Sequence, residues 1–196
     1  MSALKLWLIR HGETEINTGI WSAKPDETHL TDKGRKQAEN AAAQISGPPD
    51  QFFVSPLIRA QETLQFFLNL WPNTPTVILP IQEFNYLSSS RLLLLSSAAR
   101  KHEIIAYWQK NDPYFCDDRD TESFASFLQR VATFHQFIMQ QKGFVVVIGH
   151  GQFLKAFQLG LIHGFTLDFN WMHLFREQEI QKPVKNGQII KLYFND

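Results

Sequence analysis

Apolar and polar positions along this chain follow two rhythms that take turns. Short apolar runs at residues 4–9, 51–54, 76–79 and 144–148 have strand length and are bounded by polar or turn-forming residues. Between them the pattern turns helical. Thr31 and Asp32 mark a helix start, with a hydroxyl cap and an acid in the first turn, and Gly47-Pro48-Pro49 marks the stop. Ser55-Pro56 predicts a second helix, with proline at its first position, ending at Trp71-Pro72. Thr121 is read as the cap of a third. Its apolar positions Phe124, Phe127, Leu128, Val131, Phe134 and Ile138 follow a 3.6-residue period, and Gly143 ends it. A further helix is expected over 153–161. The last two strands are expected over 170–175 and 188–194, with Asn186-Gly187 as a turn. Residues 84–120 are less regular. Ser88-Ser89-Ser90 and Asp112-Pro113 read as turns around a helix near 98–108.

Strand alternating with helix predicts an α/β fold, a mostly parallel sheet covered on both faces. The 196 residues suit one domain, 1–196, and no repeat or linker divides them.

Composition narrows the class without naming it. Lys+Arg 19 balances Asp+Glu 19, so no global field draws nucleic acid or an anionic membrane, and any anion affinity must be local. One cysteine, Cys116, leaves no internal disulfide or multi-cysteine metal site and fits a reducing cytoplasm. No charged leader precedes a long apolar segment, so a cytoplasmic location is expected. No metal-spaced histidine pair occurs, and neither metal nor cofactor is expected. His29, His102, His135, His163 and His173 have no motif around them.

The chemistry sits where the apolar runs stop. In an open parallel sheet the carboxyl ends of the strands share one edge, and ligands bind there. The first run ends in Arg10-His11-Gly12, the second in Ser55 with Arg59 one helical turn on. The third leads to Glu83, and the fourth ends in Gly149-His150-Gly151. Two guanidiniums, two imidazoles and one carboxylate suit phosphoryl transfer, which is mostly positioning and charge stabilisation. In this reading His11 attacks phosphorus. His150 and the arginines hold the phosphoryl oxygens, and the backbone at Gly151 adds N–H donors at a helix start. Glu83 protonates the leaving oxygen and then takes a proton from water.

These motifs resemble the histidine phosphatase superfamily, the phosphoglycerate-mutase-like group. The matching residues are Arg10-His11-Gly12-Glu13-Thr14 with Asn17, Leu30-Thr31 with Gly34, Gln37 and Ala38, and Ser55 to Ala60 with Thr63. Glu122-Ser123 with Arg130 and Gly149-His150-Gly151 follow in order. The resemblance implies a three-layer α/β/α sandwich and a phosphohistidine on His11. It implies Arg10, Arg59 and His150 in the phosphate pocket and Asn17 as a further contact. The text after Glu83, Phe84-Asn85-Tyr86-Leu87, departs from the family's usual pattern, so Glu83 is placed by its position after the third strand.

The leading expectation is a metal-independent phosphomonoesterase acting on a phosphorylated small molecule or a phosphoprotein, with 84–121 covering the substrate. A phosphoglycerate-type mutase and a non-catalytic module that binds a phosphorylated ligand stay open as alternatives. The short stretch between Glu83 and Glu122 speaks for the phosphatase. Oligomeric state is not legible.

Overall fold

The computed structural model describes residues 3–19, 22, 24–168 and 170–195. Trp21, which the sequence places in the polar loop after the first strand, lies outside the described residues. Five strands, β1 (Leu4–Arg10), β2 (Gln51–Val54), β3 (Thr76–Ile78), β4 (Gly143–Gly149) and β5 (Ile189–Phe194), form one sheet in the order β3-β2-β4-β1-β5. The first four run parallel, and β5 pairs antiparallel to β1 at one edge. β1 and β4 are in register from Leu4 opposite Gly143 to Arg10 opposite Gly149. The two histidine motifs therefore leave the sheet side by side, and the His11 N–H donates to the Gly149 carbonyl at 3.0 Å.

Strand side chains point alternately to the two faces, and two cores result. Trp7, Ile9, Phe52, Val54, Val146 and Ile148 pack against α1 (Asp32–Ala42) and α2 (Ile58–Leu68). Leu6, Leu8, Phe53, Val145 and Val147 belong to the larger core with α5 (Phe124–Ile138), α6 (Gly151–His163) and α7 (Trp171–Gln181). Strands buried on both sides read as continuous apolar runs, which is why they stand out in the sequence. The three-layer α/β/α sandwich is the architecture expected. The irregular stretch holds two helices, α3 (Ser89–Leu93) and α4 (Ser97–Lys110).

Four local readings need correction. Residues 170–175 are not a strand. They begin α7, whose buried Trp171, Met172 and Phe175 have helical spacing and continue into the polar turn Arg176–Gln181. A six-residue window rich in apolar side chains cannot separate the two periods. The second helix starts at Ile58 rather than Ser55-Pro56. Ser55 still belongs to the sheet, donating its N–H to the Ile148 carbonyl at 3.0 Å. Ser123 caps α5 by accepting from the Ser126 N–H. Thr121 instead closes a turn, its hydroxyl donating to the Asp118 carbonyl at 2.8 Å. The serines at 88–90 are more than a turn, because Ser88 is the N-cap of α3.

Candidate active site

A hollow of about 570 Å³ opens at the carboxyl ends of the parallel strands. Arg10, His11, Asn17, Arg59 and Glu83 all line it. His150 lies behind His11, fully buried, with the two ring centroids 5.0 Å apart. Gly151 is not on the wall of the main hollow. It lines a smaller adjoining space of about 120 Å³ together with Arg10 and Glu83.

His11 follows β1 and is almost wholly buried. Its Nδ1 is 2.6 Å from the Gly12 carbonyl oxygen. A carbonyl only accepts, so Nδ1 carries the proton and Nε2 keeps its lone pair. Burial first, then the charges of Arg59 and Arg10, push the His11 pKa well below its ordinary value. The ring is therefore neutral, with its tautomer fixed and the Nε2 lone pair free to attack. The Gly12 N–H donates to Thr63 Oγ1 at 3.1 Å, and that hydroxyl donates to the Arg59 carbonyl at 2.8 Å, tying the strand end to α2. Only glycine fits at position 12, because a Cβ there would stand 2.2 Å from the carbonyl oxygen of Gly34 on α1.

His150 Nε2 is 2.7 Å from Ser55 Oγ. The Leu57 N–H donates to that oxygen at 3.3 Å, which leaves one lone pair and the hydroxyl hydrogen for Nε2, so a proton on either ring nitrogen fits the contact. Among the described residues this buried Nδ1 has no partner. With the proton on it, an orphaned ring nitrogen beside His11 is a donor that an incoming anion would satisfy. Burial, then the neighbouring His11 and the two arginines, hold the His150 pKa well below its ordinary value.

The arginines are fixed by carbonyls. Arg10 Nη1 donates to the Val184 carbonyl and Arg59 Nη1 to the Pro25 carbonyl, each at 2.7 Å. Arg10 Nε is buried without a partner among the described residues. The Arg10 guanidinium packs over Gly151, where an added Cβ would come within 3.2 Å of its Cζ. Burial pulls both guanidinium pKa values down and the Glu83 charge pulls them back up; at neutral pH both stay cationic.

Glu83 Oε1 accepts from the Gln152 N–H at 2.9 Å and the Phe153 N–H at 3.3 Å, the first turn of α6. Burial raises the Glu83 pKa, against the pull of Arg10, Arg59 and these N–H groups. The loop carrying it is held by Arg130. This residue donates to the Pro80 carbonyl at 3.2 Å and the Gln82 carbonyl at 2.9 Å and pairs with Glu122. Asn17 Oδ1 accepts from the Thr14 N–H at 3.0 Å and from Asn186 Nδ2 at 3.1 Å, which orders the polar loop at the rim. The carboxylate of Glu13 turns to Lys33 Nζ at 2.7 Å, outside this constellation.

Tyr86 and Arg119 lie in the segment the sequence assigns to cover the substrate, and both line the hollow. The sequence does not mark Val184 or Asn186 for the site, nor Ser55 as a partner of His150. Asn186 Nδ2 donates to the His11 carbonyl at 3.1 Å, and only the turn propensity of Asn186-Gly187 marks it in the sequence.

The chain belongs to the histidine phosphatase superfamily (branch 1), whose model matches residues 6–180. It is 28% identical over 176 residues to an adenosylcobalamin/alpha-ribazole phosphatase of Escherichia coli, covering 86% of this chain and 83% of that enzyme. A 2,3-bisphosphoglycerate-dependent phosphoglycerate mutase of Thermoplasma acidophilum is 50% identical over 60 residues. That match spans only 30% of each chain. Among solved structures, the alpha-ribazole phosphatase of Shigella flexneri superposes with a TM-score of 0.72 at 26% identity, over 98% of this chain and 91% of that one.

Proposed function

We propose that this protein is a phosphatase that hydrolyses a small phosphomonoester through a phosphohistidine on His11. The observation that carries the reading is the pairing of a neutral, tautomer-locked His11 with an orphaned His150 Nδ1, both flanked by Arg10 and Arg59. In the first step His11 Nε2 bonds to phosphorus and the ester P–O bond breaks. Arg10, Arg59 and the His150 Nδ1–H bind the three remaining oxygens as charge shifts onto them. Glu83, its pKa raised, gives its proton to the departing oxygen. In the second step water loses a proton to Glu83, its oxygen bonds to phosphorus, and the P–N bond breaks to release phosphate. No step requires a metal or cofactor.

A catalytic domain spanning 1–196, with 84–121 as the substrate-covering segment, fits the walls of the hollow. Asn85, Tyr86, Leu92, Ile104 and Arg119 come from that segment and face the phosphate end. A hollow of this size suits a small molecule with a partly apolar leaving group. The named relatives point to α-ribazole phosphate as the first compound to try.

The test is phosphate release from para-nitrophenyl phosphate in the presence of chelator, then from a panel including α-ribazole phosphate, 3-phosphoglycerate and phosphoserine. Turnover is expected, with His11→Ala lower by about a thousandfold or more because no nucleophile remains. Transfer of phosphate between phosphoglycerates without release would favour the mutase. Tight binding of intact ester by the folded protein would favour a binding module.

A further inference from the structure

The segment 182–188, between α7 and β5, has two faces. Its inner face builds the phosphate end. The Val184 carbonyl holds Arg10, the Gly187 N–H donates to the Arg10 carbonyl at 3.0 Å, and Asn186 holds the His11 carbonyl. Its outer face closes a second hollow of about 660 Å³ against α6 and the end of α7.

Among the described residues three ammonium groups line this second hollow, Lys155 from α6 and Lys182 and Lys185 from the segment, and no carboxylate does. Side-chain amides of Gln158 and Gln181 add neutral donors. The acid that Lys155 senses is Glu179, whose carboxylate is already taken by Arg176 Nη1 at 2.6 Å. Lys155 is half-buried and has Lys182 as a like-charged neighbour, and both effects lower its pKa. A half-buried ammonium facing another cation is held at a cost that a bound anion would remove. Arg10 and Arg59 of the catalytic hollow have Glu83 as counter-charge; the described residues lining this second hollow include no acid.

We propose that the hollow formed by Lys155, Lys182 and Lys185 binds a small polyphosphate. Three ammoniums match more negative charge than one phosphate dianion carries, and flexible lysine stems suit a chain of phosphates better than a planar carboxylate. The site is separate from the catalytic hollow, because no residue lines both.

The experiment is a titration of the full-length protein with inorganic tripolyphosphate, followed by backbone amide chemical shifts. Saturable shifts are expected at Lys182, Lys185 and Gly187, apart from any at His11 and Gly12 that report entry into the catalytic hollow. Lys155→Ala/Lys182→Ala should weaken binding at the outer site at least about tenfold, the loss of two charge-assisted contacts, while Lys155→Arg keeps it. Shifts confined to His11 and Gly12, or equal affinity in the double variant, overturn the proposal. Should the double variant fail to fold, Lys185→Glu, at an exposed position, reads the same point. A loss of about fivefold or more supports the site, and unchanged affinity overturns it.

Discussion

Ser55 and His150 are 95 positions apart in the chain and 2.7 Å apart in space. The hydroxyl follows β2 and the imidazole follows β4, adjacent parallel strands, so sheet register alone brings them together. In the proposed mechanism the hydroxyl gives its hydrogen to Nε2, which keeps the His150 proton on Nδ1. Ser55→Ala should leave the ring free to adopt either tautomer. We expect kcat to fall about tenfold, the weight of one neutral hydrogen bond, with a smaller change in KM. An unchanged kcat would remove Ser55 from the argument.

Glu83 is expected to act as acid before it acts as base. Glu83→Gln should cut hydrolysis of an alkyl phosphate by about 10²–10³-fold and that of para-nitrophenyl phosphate much less, because nitrophenolate leaves without a proton. The sign of the pH dependence follows from the same group. The acid form is lost as pH rises through the raised Glu83 pKa, so kcat/KM for alkyl esters should fall on the alkaline side. On the acid side His11 must be neutral, and its lowered pKa keeps activity to a pH below the ordinary histidine range. A profile of kcat/KM in wild type and variant checks both limbs.

Stability should also report the buried pair. His11 and His150 have folded pKa values below 6.5, so between those values and 6.5 the unfolded chain binds more protons. Their contribution is complete above 6.5 and is lost as pH falls through that window. The raised Glu83 acts in the opposite direction, from its ordinary value of 4.5 upward, and offsets one of the two. The net expectation below 6.5 is a fall of up to about 2.7 kcal/mol per pH unit from the two histidines, reduced to about 1.4 over the range where Glu83 offsets one, measured by denaturant unfolding. His150→Gln should flatten that slope.

Gly34 lets α1 touch the nucleophile loop. A Cβ there would stand 2.0 Å from the Glu13 carbonyl oxygen. Gly34→Ala must push α1 and the His11-Gly12-Glu13 turn apart. We expect a loss of about 1–3 kcal/mol in unfolding free energy and a fall in kcat, whereas the same change at half-buried Gly47, where a Cβ meets nothing within 4 Å among the described residues, should cost little. Equal effects at both positions would refute the close approach as the cause.

The amino-acid sequence by itself determined the buried strands, the long helices and the residue types at the strand ends. Continuous apolar runs and a 3.6-residue period are local properties, and Arg10, His11, Arg59 and His150 carry their chemistry in their side chains. The tertiary structure alone decided which groups meet. Residues 170–175 show why: six apolar-rich residues fit either period, and packing of Trp171 and Phe175 into the larger core selects the helix. The same holds for Ser55 on His150, Thr63 under Gly12, and the 182–188 segment behind Arg10. Each is a contact between residues distant in sequence, set by strand order and register, and no local pattern encodes it.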